Sequence, residues 1–407
     1  MTGVDALAID TALILTESMI SLDDIPEKAG WQNMSYEEIR NMIEQSSKKI
    51  LQISRPPVRF YILAGAEERP LDDPQVMQAW NEMRQMPQRN RLLQTLRADG
   101  TWPISRQRRQ EEAAGPGPPV GWTYITMLRR LYDLREYQVT VDEGNVRAVL
   151  EKILSWQTPE GYIPGPHTDV VPYPHYNGFA LRGLLGFEMQ DDPRVKRLVA
   201  WILRTQRSDG GWLIPYLQDV KYLPEYKFMK IPAFMNLIRE GKIPEYDPDQ
   251  FTEVPSCIWS TMMVIRGLSM NFETSELDAT GEAADFVLDR FFKRNYHATY
   301  YRSEDNWTRL KYPTYLGSGL LALDILTWLG YGADDERMEK PVRWLMGMRD
   351  RDMMWSQSER PHPEKDQWIT AIALNILSRY AKSLKGEPFG KAAERQRLLK
   401  TNRTRPL

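Results

Sequence analysis

Two of the four histidines in the chain, His167 and His175, lie within one short segment that also contains Asp169. Imidazole is the side chain best matched to proton transfer near neutral pH, so this segment could supply an acid/base catalyst. His175 is the stronger candidate because it stands at a predicted helix start, with Asp169 and Tyr176 as possible partners. The spacing also permits metal ligation by His167, Asp169 and His175, with Cys257 as a fourth ligand. No established metal motif is matched, and a purely structural role stays open.

Cys257 is the only cysteine, and it immediately precedes a predicted helix. A thiol at a helix N-terminus can have a lowered pKa and act as a nucleophile, although a lone cysteine is more often a small buried side chain. We therefore keep Cys257 as a candidate catalytic residue beside the structural alternative. One cysteine excludes a disulfide within the chain and a four-thiolate zinc site. No motif indicates a cofactor.

An internal repeat in the sequence predicts the helices that must position these residues. Trp201 and Trp344 are 143 residues apart, and so are Trp212 and Trp355, which corresponds to three units of about 48 residues each. In the clearest copies an Asp-Asp-Pro triplet predicts an N-cap followed by proline in the first helical position. An Asp-Gly pair about one helix later predicts the end of that helix. Each unit therefore contains an amphipathic helix with defined ends.

Between these amphipathic helices lie six segments that are apolar on almost every face. A helix of this kind is normally buried, so we expect an inner ring of helices within an outer ring. The sequence thus predicts an all-α fold, an α/α toroid of about six inner and six outer helices. The segment beginning at Ser35 would supply the sixth outer helix and close the ring, and an open solenoid of helical pairs is the alternative. The inner segments are residues 56–66, 121–134, 175–187, 257–270, 313–330 and 366–380.

The starts of the inner helices are rich in aromatic residues. Inner helices of a toroid point the same way, so their N-termini should meet at one slightly electropositive mouth. We expect the side chains there to line a pocket for a small apolar ligand, the alternative being that they merely fill the mouth. The predicted substrate-binding residues are Trp122, Tyr124, Asn177, Trp259, Tyr312, Tyr315 and Trp368.

The turn from Gln206 to Trp212, Gln-Arg-Ser-Asp-Gly-Gly-Trp, resembles the glutamine–tryptophan repeat of squalene–hopene cyclases and protein prenyltransferase β subunits. Degenerate copies end at Trp102 and Trp355. Across residues 35–381 the order of motifs is similar to that of bacterial prenyltransferase or squalene-oxidase repeat proteins, a group without an assigned activity. The motifs are Arg59-Phe60-Tyr61 before Asp-Asp-Pro, Cys257 at an inner-helix start, and Asn306-Trp307 before Tyr312 and Tyr315. The resemblance implies the terpenoid-cyclase fold.

Two functional motifs of the resembled enzymes are missing. The Asp-x-Asp-Asp acid of class II terpenoid cyclases is absent from the sequence. The acidic pairs that are present, at residues 72–73, 191–192 and 334–335, occupy predicted helix-cap positions. The Asp-x-Cys part of the prenyltransferase zinc set is broken, since Pro255 stands two residues before Cys257, although His362 remains.

Three segments lie outside the repeat. Residues 1–34 form an N-terminal extension to the toroid of residues 35–381. Residues 213–253 are a long insertion whose Tyr, Lys and Pro content predicts a lid over the cavity. Residues 382–407 are a basic tail, interpreted as a solvated helix that frays into disorder.

The composition limits the function. With 53 basic and 55 acidic side chains there is no strong nucleic-acid signal, and no apolar run is long enough to span a membrane. We expect a cytoplasmic protein, and nothing indicates its protein partners. The preferred function is an enzyme that acts on a small apolar or isoprenoid-like molecule by histidine-based proton transfer, of cyclase, isomerase, lyase or transferase type. The alternatives are a non-catalytic protein that binds a hydrophobic ligand and, third, a glycan lyase, for which a polar, Arg- and Asn-rich cleft is not evident.

Overall fold

The computed structural model describes residues 35–115, 119, 121–297, 305–358 and 360–401. The chain divides into two units, residues 1–33 and 34–407, and the second is described below. The predicted N-terminal extension, residues 1–34, lies outside the described residues. Within the described ranges the secondary structure is helical, with no strand beyond one isolated bridge between Gly165 and Thr168. The all-α prediction is therefore confirmed for this part of the chain.

The helices are numbered in chain order. The second helix continues as a π-helical turn, Ile62–Ala66, and three short 3₁₀ turns lie at Val220–Tyr222, Thr314–Leu316 and Glu336–Met338. The α-helices are α1 Tyr36–Ile53, α2 Pro56–Tyr61, α3 Pro74–Arg84, α4 Pro87–Gln94, α5 Arg106–Ala113, α6 Trp122–Glu136, α7 Val146–Leu154, α8 Pro174–Gly186, α9 Pro193–Arg204, α10 Ile231–Arg239, α11 Ile258–Leu268, α12 Phe272–Ser275, α13 Asp278–Asp289, α14 Asp305–Thr308, α15 Gly319–Leu329, α16 Glu339–Gly347, α17 Pro363–Leu384 and α18 Gly390–Thr401.

The acidic pairs of the repeat act as helix caps. The Asp73 carboxylate accepts a hydrogen bond from the Gln75 backbone N–H at the start of α3, at 2.8 Å. Asp192 accepts from the Arg194 N–H at 2.8 Å at the start of α9, and Asp335 caps the turn before α16 in the same way. These contacts satisfy backbone donors that a helix N-terminus leaves unpaired. The prediction that these pairs are caps is confirmed.

The tryptophans of the repeat turns share one contact. The Trp212 indole N–H donates to the Ile202 carbonyl at 2.8 Å, and it is fully buried. The same bond, to the carbonyl ten residues earlier, is made by Trp102 and by Trp355. A buried indole needs an acceptor for its N–H, so each turn is held in a fixed orientation against the helix that it ends.

The glutamines of the repeat connect neighbouring outer helices. Gln206 donates through Nε2 to the Gly210 carbonyl within its own turn and to the Ala279 carbonyl in α13, both at 2.8 Å. Gln157 makes the equivalent pair of bonds, to Gly161 and to the Arg194 carbonyl in α9. The motif therefore joins the end of one outer helix to the start of the next.

The six apolar segments contact one another in a circular order. Helix α6 packs on α8, α8 on α11, α11 on α15, α15 on α17, and α17 on α2 and its π-helical turn. Tyr137, which follows α6, packs against the cluster around Phe60 in α2 and so joins the first segment to the second. Helices α8 and α11 approach closely, since a Cβ added to Gly267 would lie 2.5 Å from the Gly178 carbonyl oxygen. Only glycine permits this packing distance.

The amphipathic helices cover this inner group from outside. Helix α3 packs on α2, α7 and α9 on α8, α13 on α11, and α16 on α15. The N-terminal helix α1 packs along α17, so the beginning and the end of the repeat region are adjacent. No helix among the described residues combines the length and the apolar character needed to cross a membrane.

Candidate functional site

A cavity of about 580 Å³ lies among the six inner segments. Its wall is formed by the second halves of α6, α8, α11 and α15, by α17, and by the π-helical turn after α2. A cavity of this size is in the range that accommodates small organic ligands. The pocket predicted from the sequence lies at the N-termini of these helices, whereas the cavity described here lies at their opposite end.

Asp324 is the buried carboxylate of the cavity. Arg379 donates to its Oδ1 at 2.8 Å, and Arg266 lies 3.2 Å from its Oδ2. Burial by itself would raise the pKa of Asp324, but the positive charges of Arg266 and Arg379 outweigh burial and hold the pKa below its ordinary value. Asp324 is therefore ionised at neutral pH, and each of the two arginines has an anionic partner.

Arg182 lies on the same wall without such a partner. Its guanidinium stacks over the Tyr132 ring at 4.1 Å from the centroid. Its Nε is buried and has no hydrogen-bond acceptor among the described residues. Burial, and then the charge of Arg266, lowers the pKa of Arg182 to about 10, so the group is still a cation at neutral pH.

Glu136 is a carboxyl group kept neutral by its surroundings. Burial raises the pKa of Glu136 to about 8, although the neighbouring Tyr312 hydroxyl and the Arg182 charge act to lower it. Below that pH the group carries its proton and can donate it. Burial likewise raises the pKa values of Tyr132 and Tyr312, so both phenols stay protonated and can serve as hydrogen-bond donors. The Tyr132 hydroxyl already contacts Thr314 Oγ1 at 3.0 Å.

Three of the aromatic residues chosen from the sequence border this polar group. Trp368 lines the cavity, and Tyr312 stacks on it with ring centroids 5.6 Å apart and planes 6° from parallel. Tyr315 contacts the Tyr132 ring edge-on at 5.2 Å. Tyr61 packs on the other side of Trp368. The structure thus brings Tyr312, Tyr315 and Trp368 together around Glu136 and Tyr132.

His175 belongs to a different cluster, near the N-termini of α8 and α11. Its ring lies 4.2 Å from Trp259 and 4.5 Å from Tyr176, centroid to centroid, and its Nδ1 is 3.4 Å from the Ser260 hydroxyl. Burial, and then the charge of His167, holds the pKa of His175 well below its ordinary value. His175 is therefore a neutral imidazole packed among aromatic rings, and it is not part of the cavity wall described above.

The candidate partners of His175 differ in whether they lie beside it. Tyr176 does contact the histidine pair, since its hydroxyl lies 3.3 Å from His167 Nε2. Asp169 is about half exposed and forms an ion pair with Arg239 at 3.0 Å, so it faces the insertion. Burial lowers the pKa of His167 to about 4, which leaves that imidazole neutral as well.

The remaining predicted residues make structural contacts. Asn177 is fully buried and is hydrogen-bonded to the preceding loop. Its Oδ1 accepts from the Ile163 N–H, and its Nδ2 donates to the Ile163 and Tyr173 carbonyls. Cys257 is buried and precedes α11, with Asn295 donating to its sulfur at 3.3 Å. Trp122 stacks under Arg108 of α5.

Tyr124 is also buried, and it packs edge-on against Trp156. Among the described residues no three His, Cys, Asp or Glu side chains are grouped so that they could hold a metal ion. His167, Asp169, His175 and Cys257 therefore do not form the four-ligand set considered from the sequence.

Each end of the inner group is covered by a different segment. The 213–253 insertion packs on the N-terminal end, where Ile214 and Met235 join Val171 and Tyr173 in one buried cluster. Helix α18 contributes Gly390, Glu394 and other residues to the wall of the cavity at the C-terminal end. The tail was interpreted as a solvated helix, but its described part covers the cavity, and the insertion lies at the other end.

The polar residues of the cavity lie in the second halves of the inner helices, away from the helix starts at which the sequence predicted the site. A signal was present: Arg182, Arg266, Asp324 and Arg379 are each an isolated charge within an otherwise apolar inner segment. Charged side chains are rarely buried unless they are paired or functional. The charges inside apolar helices were therefore better indicators of the site than the aromatic residues at the helix starts.

Comparison with known proteins adds no assignment. No protein-family model matches the chain, and no curated protein matches it.

Proposed function

We propose that the repeat region is an α/α toroid of the kind found in terpenoid cyclases and prenyltransferase β subunits. The circular order of contacts among the inner segments supports this fold. So does the contact of α1 with α17, which brings the two ends of the repeat region together. Arg349, which stands where the repeat would have glutamine, donates to Ser46 and Gln45 of α1 and thus connects the last outer helix to the first.

We infer that the central cavity is the active site of an enzyme that transfers protons to or from a small polar molecule. The observation that carries this proposal is Glu136, a protonated carboxyl group beside two tyrosine hydroxyls and the Arg182 cation in a ligand-sized cavity. A buried acid of this kind can protonate a leaving group or a developing oxyanion at neutral pH. Tyr132, Tyr312 and Arg182 would stabilise the negative charge that develops.

The polar wall changes the expected substrate class. An apolar or isoprenoid-like molecule placed here would remove water from the half-buried Arg182 without replacing the lost hydrogen bonds, which is unfavourable. A lyase or isomerase acting on a hydroxylated compound such as a sugar fits these groups better. The third interpretation from the sequence, a glycan lyase, therefore gains support, because the Arg- and Asn-containing cleft that it requires lies in this cavity.

The test is a comparison of turnover by matched variants. Purified protein is incubated with a mixture of polar metabolites and oligosaccharides, and compounds that disappear are followed by mass spectrometry. Wild type, Glu136→Gln, His175→Phe and a surface control, Glu37→Gln on α1, are assayed in parallel. We expect a polar compound to be consumed by every protein except Glu136→Gln. The rate should fall as the pH rises through about 8, because Glu136 then loses its proton.

The opposite pattern would refute this function. Full activity of Glu136→Gln together with loss of activity in His175→Phe would instead support histidine-based catalysis at the N-terminal cluster. Consumption of apolar compounds alone would show that the substrate is apolar, as the sequence predicted. If wild type binds a compound from the mixture and converts none, the cavity is a non-catalytic binding site.

A further inference from the structure

We propose that the molecule bound in the central cavity carries a carboxylate group and that Arg182 is the residue that binds it. This inference rests on the proposed function, because it assigns a substrate class to the same cavity. It is carried by the contrast between Arg182 and the other cations on the cavity wall.

The other cations of the cavity mostly have anionic partners within the chain. Arg266 and Arg379 are paired with Asp324. Lys382 forms an ion pair with Glu68, and Arg397 pairs with Glu394 in α18. These groups are neutralised when the cavity is empty, so they do not require an anion from outside.

Arg182 forms no ion pair of this kind with the described residues, although the Asp324 charge acts on it from a greater distance. Its guanidinium stacks over the Tyr132 ring, 4.1 Å from the ring centroid. No carboxylate lies within ion-pair distance of it in the described part of the chain, and its buried Nε donates to nothing there. A half-buried cation without an ion-pair partner has lost part of its hydration uncompensated, and a bound anion would relieve that cost.

The neighbouring groups favour a singly charged, planar anion. Arg266 and Arg379 are already paired with Asp324, so a single negative charge on the ligand is enough to neutralise Arg182. A carboxylate carries one charge and matches the planar guanidinium with two parallel hydrogen bonds. Glu136, in its protonated form, can donate a further hydrogen bond to the same carboxylate. A phosphate or pyrophosphate group fits this arrangement less well.

The experiment measures binding without turnover. Glucuronate and glucose form a matched pair of probes that differ in the carboxylate, and benzoate, phosphate and pyrophosphate complete the set. Thermal shift and titration calorimetry are carried out on wild type, Arg182→Gln, Arg182→Lys and the surface control Arg147→Gln, whose guanidinium is exposed and paired with Asp142.

We expect glucuronate or benzoate to raise the melting temperature of wild type and of Arg147→Gln, with no shift from glucose. Arg182→Gln should lose about tenfold to a hundredfold in affinity for the carboxylate, the usual effect of removing a charged hydrogen-bond partner. Arg182→Lys should recover only part of that loss, because an ammonium lacks the planar fork. Without ligand, Arg182→Gln should melt at or above the wild-type temperature, since a half-buried cation without an ion pair has been removed.

Several outcomes would overturn the inference. Stronger binding of phosphate or pyrophosphate than of carboxylates would assign a different anion, and the absence of any carboxylate-dependent stabilisation would reject the site. A large drop in the melting temperature of Arg182→Gln, with unchanged carboxylate binding, would show that Arg182 is structural. Carboxylate binding that requires Arg182, together with full turnover by Glu136→Gln, would reject the proposed catalysis and retain this binding site.

Discussion

Two carboxyl groups on the cavity wall have pKa values shifted in opposite directions. Asp324 is held between two arginines and stays ionised, whereas Glu136 lies beside neutral phenols and keeps its proton. Such a separation of pKa values assigns different tasks to the two groups: Asp324 positions cations, and Glu136 can transfer a proton. The difference arises from their neighbours: two arginines hold Asp324 ionised, whereas tyrosine hydroxyls lie beside Glu136.

The raised pKa of Glu136 predicts a characteristic pH dependence of stability. The folded state retains the proton to about pH 8, whereas the unfolded chain releases it near 4.5. The contribution of Glu136 to the free energy of unfolding is therefore fully present below pH 4.5 and is lost as the pH rises through about 8. Denaturant unfolding of wild type and Glu136→Gln across this window should show a decline that is smaller in the variant. Identical pH profiles would mean that Glu136 ionises normally.

Replacing Asp324 tests whether it neutralises the arginine pair. Asp324→Asn leaves Arg266 and Arg379 without their anion, and breaking a buried ion pair in this way costs about 3–5 kcal/mol. The matched surface variant Asp285→Asn, which breaks an exposed ion pair to Arg337, should cost less than about 1 kcal/mol. Urea denaturation compares the two. Equal, small losses would show that Asp324 is not needed to hold the arginines.

At the scale of the elements, the repeat turns act as connectors between successive outer helices. Gln157 and Gln206 each donate to a carbonyl near the start of the next outer helix, α9 and α13. Gly210 has a positive φ of 84°, and a Cβ there would lie 2.6 Å from the Glu282 carbonyl oxygen in α13. The turn therefore requires glycine both for its backbone conformation and for the close packing of α13.

Removing one of these glutamines should weaken the outer group measurably. Gln206→Ala and Gln157→Ala each lose two hydrogen bonds to backbone carbonyls, which predicts a decrease of about 1–2 kcal/mol in the free energy of unfolding. Gln78→Ala, which removes a contact to Glu82 on the exposed face of α3, should have almost no effect. Chemical denaturation tests the difference, and equal effects at all three positions would contradict the connecting role.

Polar side chains at the protein surface help to attach helix α18 to the rest of the fold. Outside the helix, Arg395 pairs with Glu276 in an exposed ion pair, and Lys391 donates to the Ser275 carbonyl at 2.8 Å. Exposed ion pairs contribute little stability. We therefore expect backbone amides of α18 to exchange with deuterium much faster than those of α15 and α17, which are buried along most of their length. Equal protection of α18 and α17 would show that α18 is a fixed part of the wall.

Helix ends were more predictable from the sequence than the position of the site. The caps at Asp73 and Asp192 and the turns at Trp102 and Trp212 depend on contacts within about ten residues, so local spacing was enough to locate them. Which end of the inner helices holds the cavity depends instead on which side chains fill the space between six helices. The rings around His175 pack against one another and against the insertion, and local spacing does not reveal that.

For the whole molecule, the central claim is that the proposed toroid binds its ligand through Arg182 at the C-terminal end of the inner helices, while the His175 cluster at the other end supports the structure. Both sites contain buried polar groups and aromatic rings. They differ in that Arg182 lies on the wall of a ligand-sized cavity without a partner, whereas His175 is neutral and enclosed by Trp259 and Tyr176.

The most direct measurement is a thermal-shift screen of a library of small carboxylates against wild type, Arg182→Gln and His175→Gln. The account predicts that at least one carboxylate raises the melting temperature of wild type and of His175→Gln by similar amounts and leaves Arg182→Gln unchanged. Stabilisation that persists in Arg182→Gln and disappears in His175→Gln would contradict it, as would a library in which no carboxylate stabilises the wild-type protein.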